Sequence, residues 1–151
     1  MKYFLNVLLV ILFLVGCEKK SENSMYVSGT IDGLKKGTLF LQHLKDSSLT
    51  TIDSLVIKGN GDFAFEYPLE CPELFYLYLQ KADNNDINDR ITFFGEKGTI
   101  TINTAWNTFD ANAEVLGSKS HDTFKKCREI LSKFYTKDLE YIQALSSTEK
   151  P

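Results

Sequence analysis

Cysteine, proline and tryptophan are scarce here: three, three and one in 151 residues. Three cysteines do not make a disulfide framework, and none of them forms a Cys-x-x-C pair, which excludes a thioredoxin-type redox motif. There are only two histidines, so a metal centre would need further ligands brought in by the fold. No cluster of Lys or Arg stands out and the formal charge is −3, which excludes nucleic acid as an expected partner. What is abundant is aromatic: 13% Phe, Tyr and Trp, placed in strand-like runs. That composition favours a packed β domain over disorder.

The first residues carry an address. Lys2 is followed by an apolar stretch that ends in Leu14-Val15-Gly16-Cys17. A basic start, an apolar middle and small residues at the cut site make a secretory signal. A cysteine directly after the cut resembles a bacterial lipoprotein signal, or lipobox. The resemblance implies that Cys17 is acylated, palmitate included, and becomes the mature N-terminus. The competing reading, an uncleaved transmembrane anchor, needs ~20 apolar residues. This run stops at Gly16 and meets charge at once in Glu18-Lys19-Lys20. Two or more acyl chains, at about 0.8 kcal/mol per buried methylene, make membrane attachment stable. The expected localisation is the cell envelope, lipid-anchored. Glu18 stands where the best-known sorting system places an inner-membrane aspartate, so the outer membrane is favoured. Residues 17–24 read as a tether. About 135 residues remain after the signal, enough for one domain with a real core.

Strand signals then recur at short intervals over residues 25–118. Met25–Ile31, Thr38–Leu44 and Thr50–Ile57 alternate apolar and polar residues. Asn60-Gly61, the favoured pair for a type I′ turn, predicts a hairpin joining Leu55–Ile57 to Phe63–Tyr67. Leu74–Gln80 is apolar on both faces, with Phe75, Leu77 and Leu79 on one and Tyr76 and Tyr78 on the other, which predicts a central strand. Ile91–Phe94, Thr99–Ile102 and Val115-Leu116 complete the set. Such a pattern indicates a mainly β fold, an antiparallel sandwich or open barrel.

The period then changes. Phe124, Cys127, Ile130, Leu131, Phe134, Tyr135, Leu139, Ile142 and Leu145 share a broad helical face, opposite Lys125, Lys126, Glu129, Lys133 and Glu140. An amphipathic helix is expected over 119–145, with Ser120 as N-cap and Asp122 in the first turn. Residues 146–151 read as a polar tail. The apolar face must be covered by the sheet, by another chain or by a further domain. Its first half, through Leu131, is expected to lie on the sheet, and its second half to offer a partner surface.

Candidate chemistry is sparse. His121 lies beside Ser120 and Asp122 at the helix start, where polar residues are expected anyway, and His43 falls in a strand. Asp83, Asn85, Asp86, Asn88 and Asp89 gather oxygens that a hard cation favours. The EF-hand frame through Asn84, Asp86 and Asn88 fails, with Asp89 at its sixth position and Gly95 at its twelfth, so a solvated loop is expected. Asp53-Ser54 offers a hydroxyl with no local base and reads as a polar pair bonding a nearby turn. Tyr76 and Tyr78 read as cross-strand packing, with a stacking platform for sugar as the alternative. Cys71 and Cys127 are expected as two buried thiols, with a disulfide as the alternative. No catalytic residue, metal ligand or cofactor is expected.

The landmarks Val27-Ser28-Gly29-Thr30-Ile31, Gly33-Leu34, Gly37-Thr38-Leu39-Phe40-Leu41, Ile52-Asp53-Ser54 and Gly61-Asp62-Phe63-Ala64-Phe65 occur in order. Pro72 before Phe75-Tyr76-Leu77, Phe93-Phe94-Gly95-Glu96, Gly98-Thr99-Ile100 and Leu116-Gly117-Ser118 follow. This series resembles domain of unknown function 4369, a β-rich extracytoplasmic domain of Bacteroidetes lipoproteins, over residues 25–120. The resemblance brings no catalytic residues. In that family the domain often precedes a thioredoxin-like domain, whereas here only the helix and tail follow. Two functions are therefore expected. The first is a lipid-anchored, non-catalytic binding or assembly module, held on the membrane through Cys17, with a protein partner on the 119–145 helix. The alternative is the accessory N-terminal part of a thiol-disulfide oxidoreductase or peroxiredoxin.

Overall fold

The computed structural model describes residues 23–81 and 89–148. Eight strands run in order: β1 (Ser24–Asp32), β2 (Lys36–Lys45), β3 (Ser48–Lys58), β4 (Asp62–Pro68), β5 (Glu73–Lys81), β6 (Arg90–Gly95), β7 (Gly98–Ala105) and β8 (Glu114–Leu116). A helix, α1 (Lys119–Thr148), follows. The strands form two four-stranded sheets, ordered β4-β1-β7-β8 and β3-β2-β5-β6. The result is a mainly β sandwich with one C-terminal helix, and not a closed barrel.

The alternation seen in the sequence becomes the core. Met25, Val27, Ile31, Phe63, Phe65, Ile100 and Ile102 line the inner face of the first sheet. Leu39, Leu41, Ile57, Phe75, Leu77, Leu79, Ile91 and Phe93 line that of the second, and all are buried. β5 lies between β2 and β6, as its two apolar faces predict. Loop residues Leu34, Leu69 and Phe109 close the ends. Phe109 follows a short 3-10 turn at Trp106–Thr108, and its carbonyl accepts the Thr104 hydroxyl at 2.8 Å. This plug has no periodic signal in the sequence.

Two features of the topology differ from expectation. One pairing is parallel: β1 runs alongside β7, from Met25 beside Gly98 to Asp32 beside Ala105. Alternation reports which face a residue occupies and is silent on strand direction. A parallel pair needs a long crossover, and here β2 to β6 form it: β2, β3, β5 and β6 lie in the opposite sheet, while β4 returns to pair with β1. Gly29 permits the close approach, since a Cβ there would lie 1.8 Å from the Ile102 carbonyl oxygen.

The second difference is at Asn60-Gly61. The predicted type I′ hairpin is not formed. β3 pairs with β2 and β4 with β1, so this segment crosses between sheets. Among the described residues the non-glycine positive φ values belong to Asp46 (48°) and Ser47 (65°), and not to Asn60. Asp46-Ser47 makes the tight turn, closing Lys45 against Ser48. At the crossing, the Asn60 side-chain amide bonds the Asp62 carboxylate. Gly61 has φ 79° and its carbonyl accepts the Ile31 N–H at 2.9 Å. A Cβ on Gly61 would lie 2.1 Å from the Ile31 carbonyl oxygen. The glycine is needed for contact with β1, and Asn-Gly chemistry serves a corner as well as a hairpin.

Candidate functional site

The junction between sandwich and helix is built by Ser118, Glu96, Ser120, Phe94 and Phe124. Ser118, buried at the end of the β8 connection, accepts the His121 N–H at 3.0 Å and donates to the Phe94 carbonyl at 2.8 Å. Ser118 is therefore the N-cap, two residues before the expected Ser120. Glu96 completes the cap from another element. Its carboxylate accepts the Lys119 N–H at 2.8 Å, the Ser120 N–H at 3.1 Å and the Ser120 hydroxyl at 2.6 Å. The Ser120 hydrogen bond chiefly holds the Glu96 carboxyl below the usual carboxylate range, with the backbone N–H groups adding to it. A carboxylate here also meets the positive end of the helix dipole. Phe124 lies on Phe94, with ring centroids 5.2 Å apart.

Beyond that first contact the helix leaves the sandwich. Its contacts with the strands centre on β6. Ile130 is 63% exposed, Phe134 76% and Tyr135 67%. Leu131, Leu139, Tyr141, Ile142 and Leu145 are also exposed. The expectation that the helix lies on the sheet through Leu131 is corrected: contact ends near Cys127. The sandwich core is already closed by its own strands, so it has no open face for a longer stripe. The helix runs on to Thr148. An apolar groove remains beside its first turns, lined by Pro72, Phe94, Ser120, Thr123, Phe124 and Cys127. Among the described residues no helix is long and apolar enough to cross a membrane.

The other sequence candidates are dispersed. Cys17 and the signal, like Asp83, Asn85, Asp86 and Asn88, lie outside the described residues. Asp89, expected in a solvated loop, is buried and paired with Lys81 at 2.8 Å, while Lys81 also lies 5.6 Å from the Trp106 ring. A local polar run does not reveal that its last residue re-enters the sheet. His43 is buried in β2, paired with Glu73 and stacked on Phe75 at 4.8 Å. His121 sits in the first helical turn, where burial lowers its pKa below the usual imidazole value. Among the described residues no three His, Cys, Asp or Glu side chains gather as metal ligands. Cys71 and Cys127 are free thiols, and both are exposed rather than buried.

Asp53-Ser54 lies in β3 beside a bulge, where the register shifts opposite Leu41-Gln42. The Asp53 carboxylate accepts the Ser54 N–H at 2.7 Å. Tyr76 and Tyr78 are half-buried on the outer face, as the packing reading predicts. Arg90 lies 5.7 and 5.4 Å from their ring centroids, and Phe40 stacks on Tyr78 at 5.8 Å.

The family profile described as domain of unknown function (DUF4369) matches residues 25–124. The chain belongs to the DUF4369 family. The match ends at Phe124, the residue where helix and sandwich meet. The DUF4369 region thus includes the cap and the Phe94 contact, and the exposed stripe from Ile130 onward lies outside it. No curated protein and no solved structure matches the chain.

Proposed function

We propose that this chain is a lipid-anchored extracytoplasmic binding or assembly module without catalytic activity of its own. Cys17 attaches it to the envelope membrane, the outer membrane by its Glu18, and the helix provides its contact surface. One observation carries the reading: a sandwich with a closed core holds out a helix whose wide apolar stripe is exposed. Leaving that much apolar surface in water costs about 25 cal/mol per Å². Surfaces of this kind mark association sites. The lipobox supplies the anchor. The anchor is tested by intact mass of the protein purified from membranes. The expected mass is that of a chain beginning at Cys17 with acyl groups, lost in Cys17→Ser. A mature mass without acyl chains overturns the anchored reading.

The same stripe favours a second reading, the accessory part of a thioredoxin-like enzyme, because an adjoining catalytic domain would cover it. The coding sequence after Pro151 separates the two. A continuing frame with Cys-x-x-C supports the enzyme, and a stop codon supports the module.

A further inference from the structure

The stripe has a charge in its middle. Asp138 projects from the same face as Phe134 and Tyr135, one turn before it, and Tyr141 and Ile142, one turn after. Among the described residues Asp138 makes no ion pair. A carboxylate set among aromatics is costly to bury unless the covering surface brings a cation. A bilayer is a poor cover, because its acyl region offers no such partner. Arg128 lies at the edge of the same stripe, over the Phe124 ring at 5.7 Å.

We propose that the stripe is covered by the same stripe of a second copy, in antiparallel orientation. This rests on the reading of the helix as an association surface. Three pairs of positions have one common midpoint along the helix, between Ser132 and Lys133: Phe124 with Tyr141, Cys127 with Asp138, and Leu131 with Phe134. A twofold axis through that midpoint brings all three pairs together at once, as an isologous dimer requires. It sets Asp138 of each copy against Cys127 of the other, with Arg128 adjacent and long enough to meet the carboxylate. Both charges are then matched twice by symmetry. Tyr141 of each copy enters the groove between Phe94 and Phe124 of the other. A parallel, in-register pair would stack the two Asp138 carboxylates on each other in the seam, a like-charge contact with no cation beside it.

The surface is large enough. The exposed apolar side chains from Ile130 to Leu145 present on the order of 1,000 Å² per copy. A stable interface buries about 800 Å² per partner. The helix, 30 residues long, spans about 45 Å. The antiparallel pair therefore holds the two sandwiches at opposite ends.

Cysteine crosslinking of the full chain in intact cells tests this. In a Cys71→Ser background, the native Cys127 together with Asp138→Cys is expected to give a disulfide dimer on mild oxidation. Cys127 alone, and Asp138→Cys with Cys127→Ser, are expected to give none, because like positions are far apart in the antiparallel pair. A dimer from Cys127 alone means a parallel pair and overturns the proposal, as does the absence of dimer from the double-cysteine protein. A charge exchange provides the second arm, read by sedimentation of the Cys17→Ser protein. Asp138→Arg is expected to weaken dimerisation by about tenfold or more, and Asp138→Arg with Arg128→Asp to restore it. A monomer at every concentration that instead floats with phosphatidylglycerol vesicles replaces the second copy with a membrane surface. Any of these failures leaves the anchored module standing, since its own test is the acyl mass on Cys17.

Discussion

Replacing Glu96 should release the helix from the sandwich without unfolding the sandwich. Glu96→Ala removes three hydrogen bonds: two to backbone N–H groups at the helix start and one from the Ser120 hydroxyl. Loss of a side-chain cap costs about 0.5–2 kcal/mol. Loss of the carboxylate at the dipole's positive end adds about 0.3–1 kcal/mol. Ser118 remains as N-cap, so the expected cost is near the middle of that range, about 2 kcal/mol. Glu96→Gln keeps an acceptor and loses only the charge, for about 1 kcal/mol. The sign of the pH effect follows from the lowered pKa. The folded protein binds the Glu96 proton less readily than the unfolded chain does. Its stabilisation is complete above the unfolded carboxylate value and is lost as pH falls through the folded one. Wild type and Glu96→Gln should therefore differ at neutral pH and converge in acid. Hydrogen exchange at Lys119 to Phe124 is the assay, with the β5 amides as internal reference. Unchanged protection at 119–124 in Glu96→Ala would refute the role given to this carboxylate, and so would a fall in protection spread evenly over β5.

Two further perturbations test the fold beneath the junction. Gly61→Ala should be destabilising by about 2–4 kcal/mol in urea unfolding, since it combines positive φ with a Cβ that would meet Ile31. Gly59→Ala has a φ of 122° but open space around it, so its smaller loss isolates the strain; equal losses would mean that the Ile31 contact is not what demands glycine. Asp89→Asn leaves the Lys81 ammonium without its buried counter-charge and should cost about 3 kcal/mol. A loss under half a kcal/mol would show that this pair is solvated.

Most strands were legible because they spend their length half in and half out of one core. β3 is the exception: even spacing pairs Ile52 with Val56 on one face, but Val56 is 58% exposed and Ile57 is the buried residue, since the bulge opposite Leu41-Gln42 shifts the register. Period-two alternation names the inward residues, and Phe75, Leu77, Ile100 and Ile102 are where it puts them. What alternation does not encode is which strand lies next to which. The Asn60-Gly61 signal is local and describes the bend. Whether the chain returns beside itself or crosses to the other sheet depends on β1 and β2, which compete for β4 and β3. The parallel β1 and β7 pair is invisible for the same reason. The helix was legible as a helix, although Asp138 and Tyr141, which share its apolar face, were not counted in that face. Its departure from the sandwich after Cys127 was not legible, because a stripe looks the same whether its cover is the chain's own sheet or another molecule. The Glu96 cap joins residues more than twenty positions apart, beyond any local capping pattern, although the Glu96 and Ser118 positions both stood within the family-like series.

The most direct test of the helix as an association surface is hydrogen exchange along residues 119–145 of the full chain at several protein concentrations. Lys119 to Phe124 are expected to be protected at every concentration, while Arg128 to Leu145 gain protection as concentration rises and the core strands stay unchanged. Strong, even protection from Phe124 to Leu145 in a dilute monomer would place the whole helix in the domain core and contradict its role as an association surface.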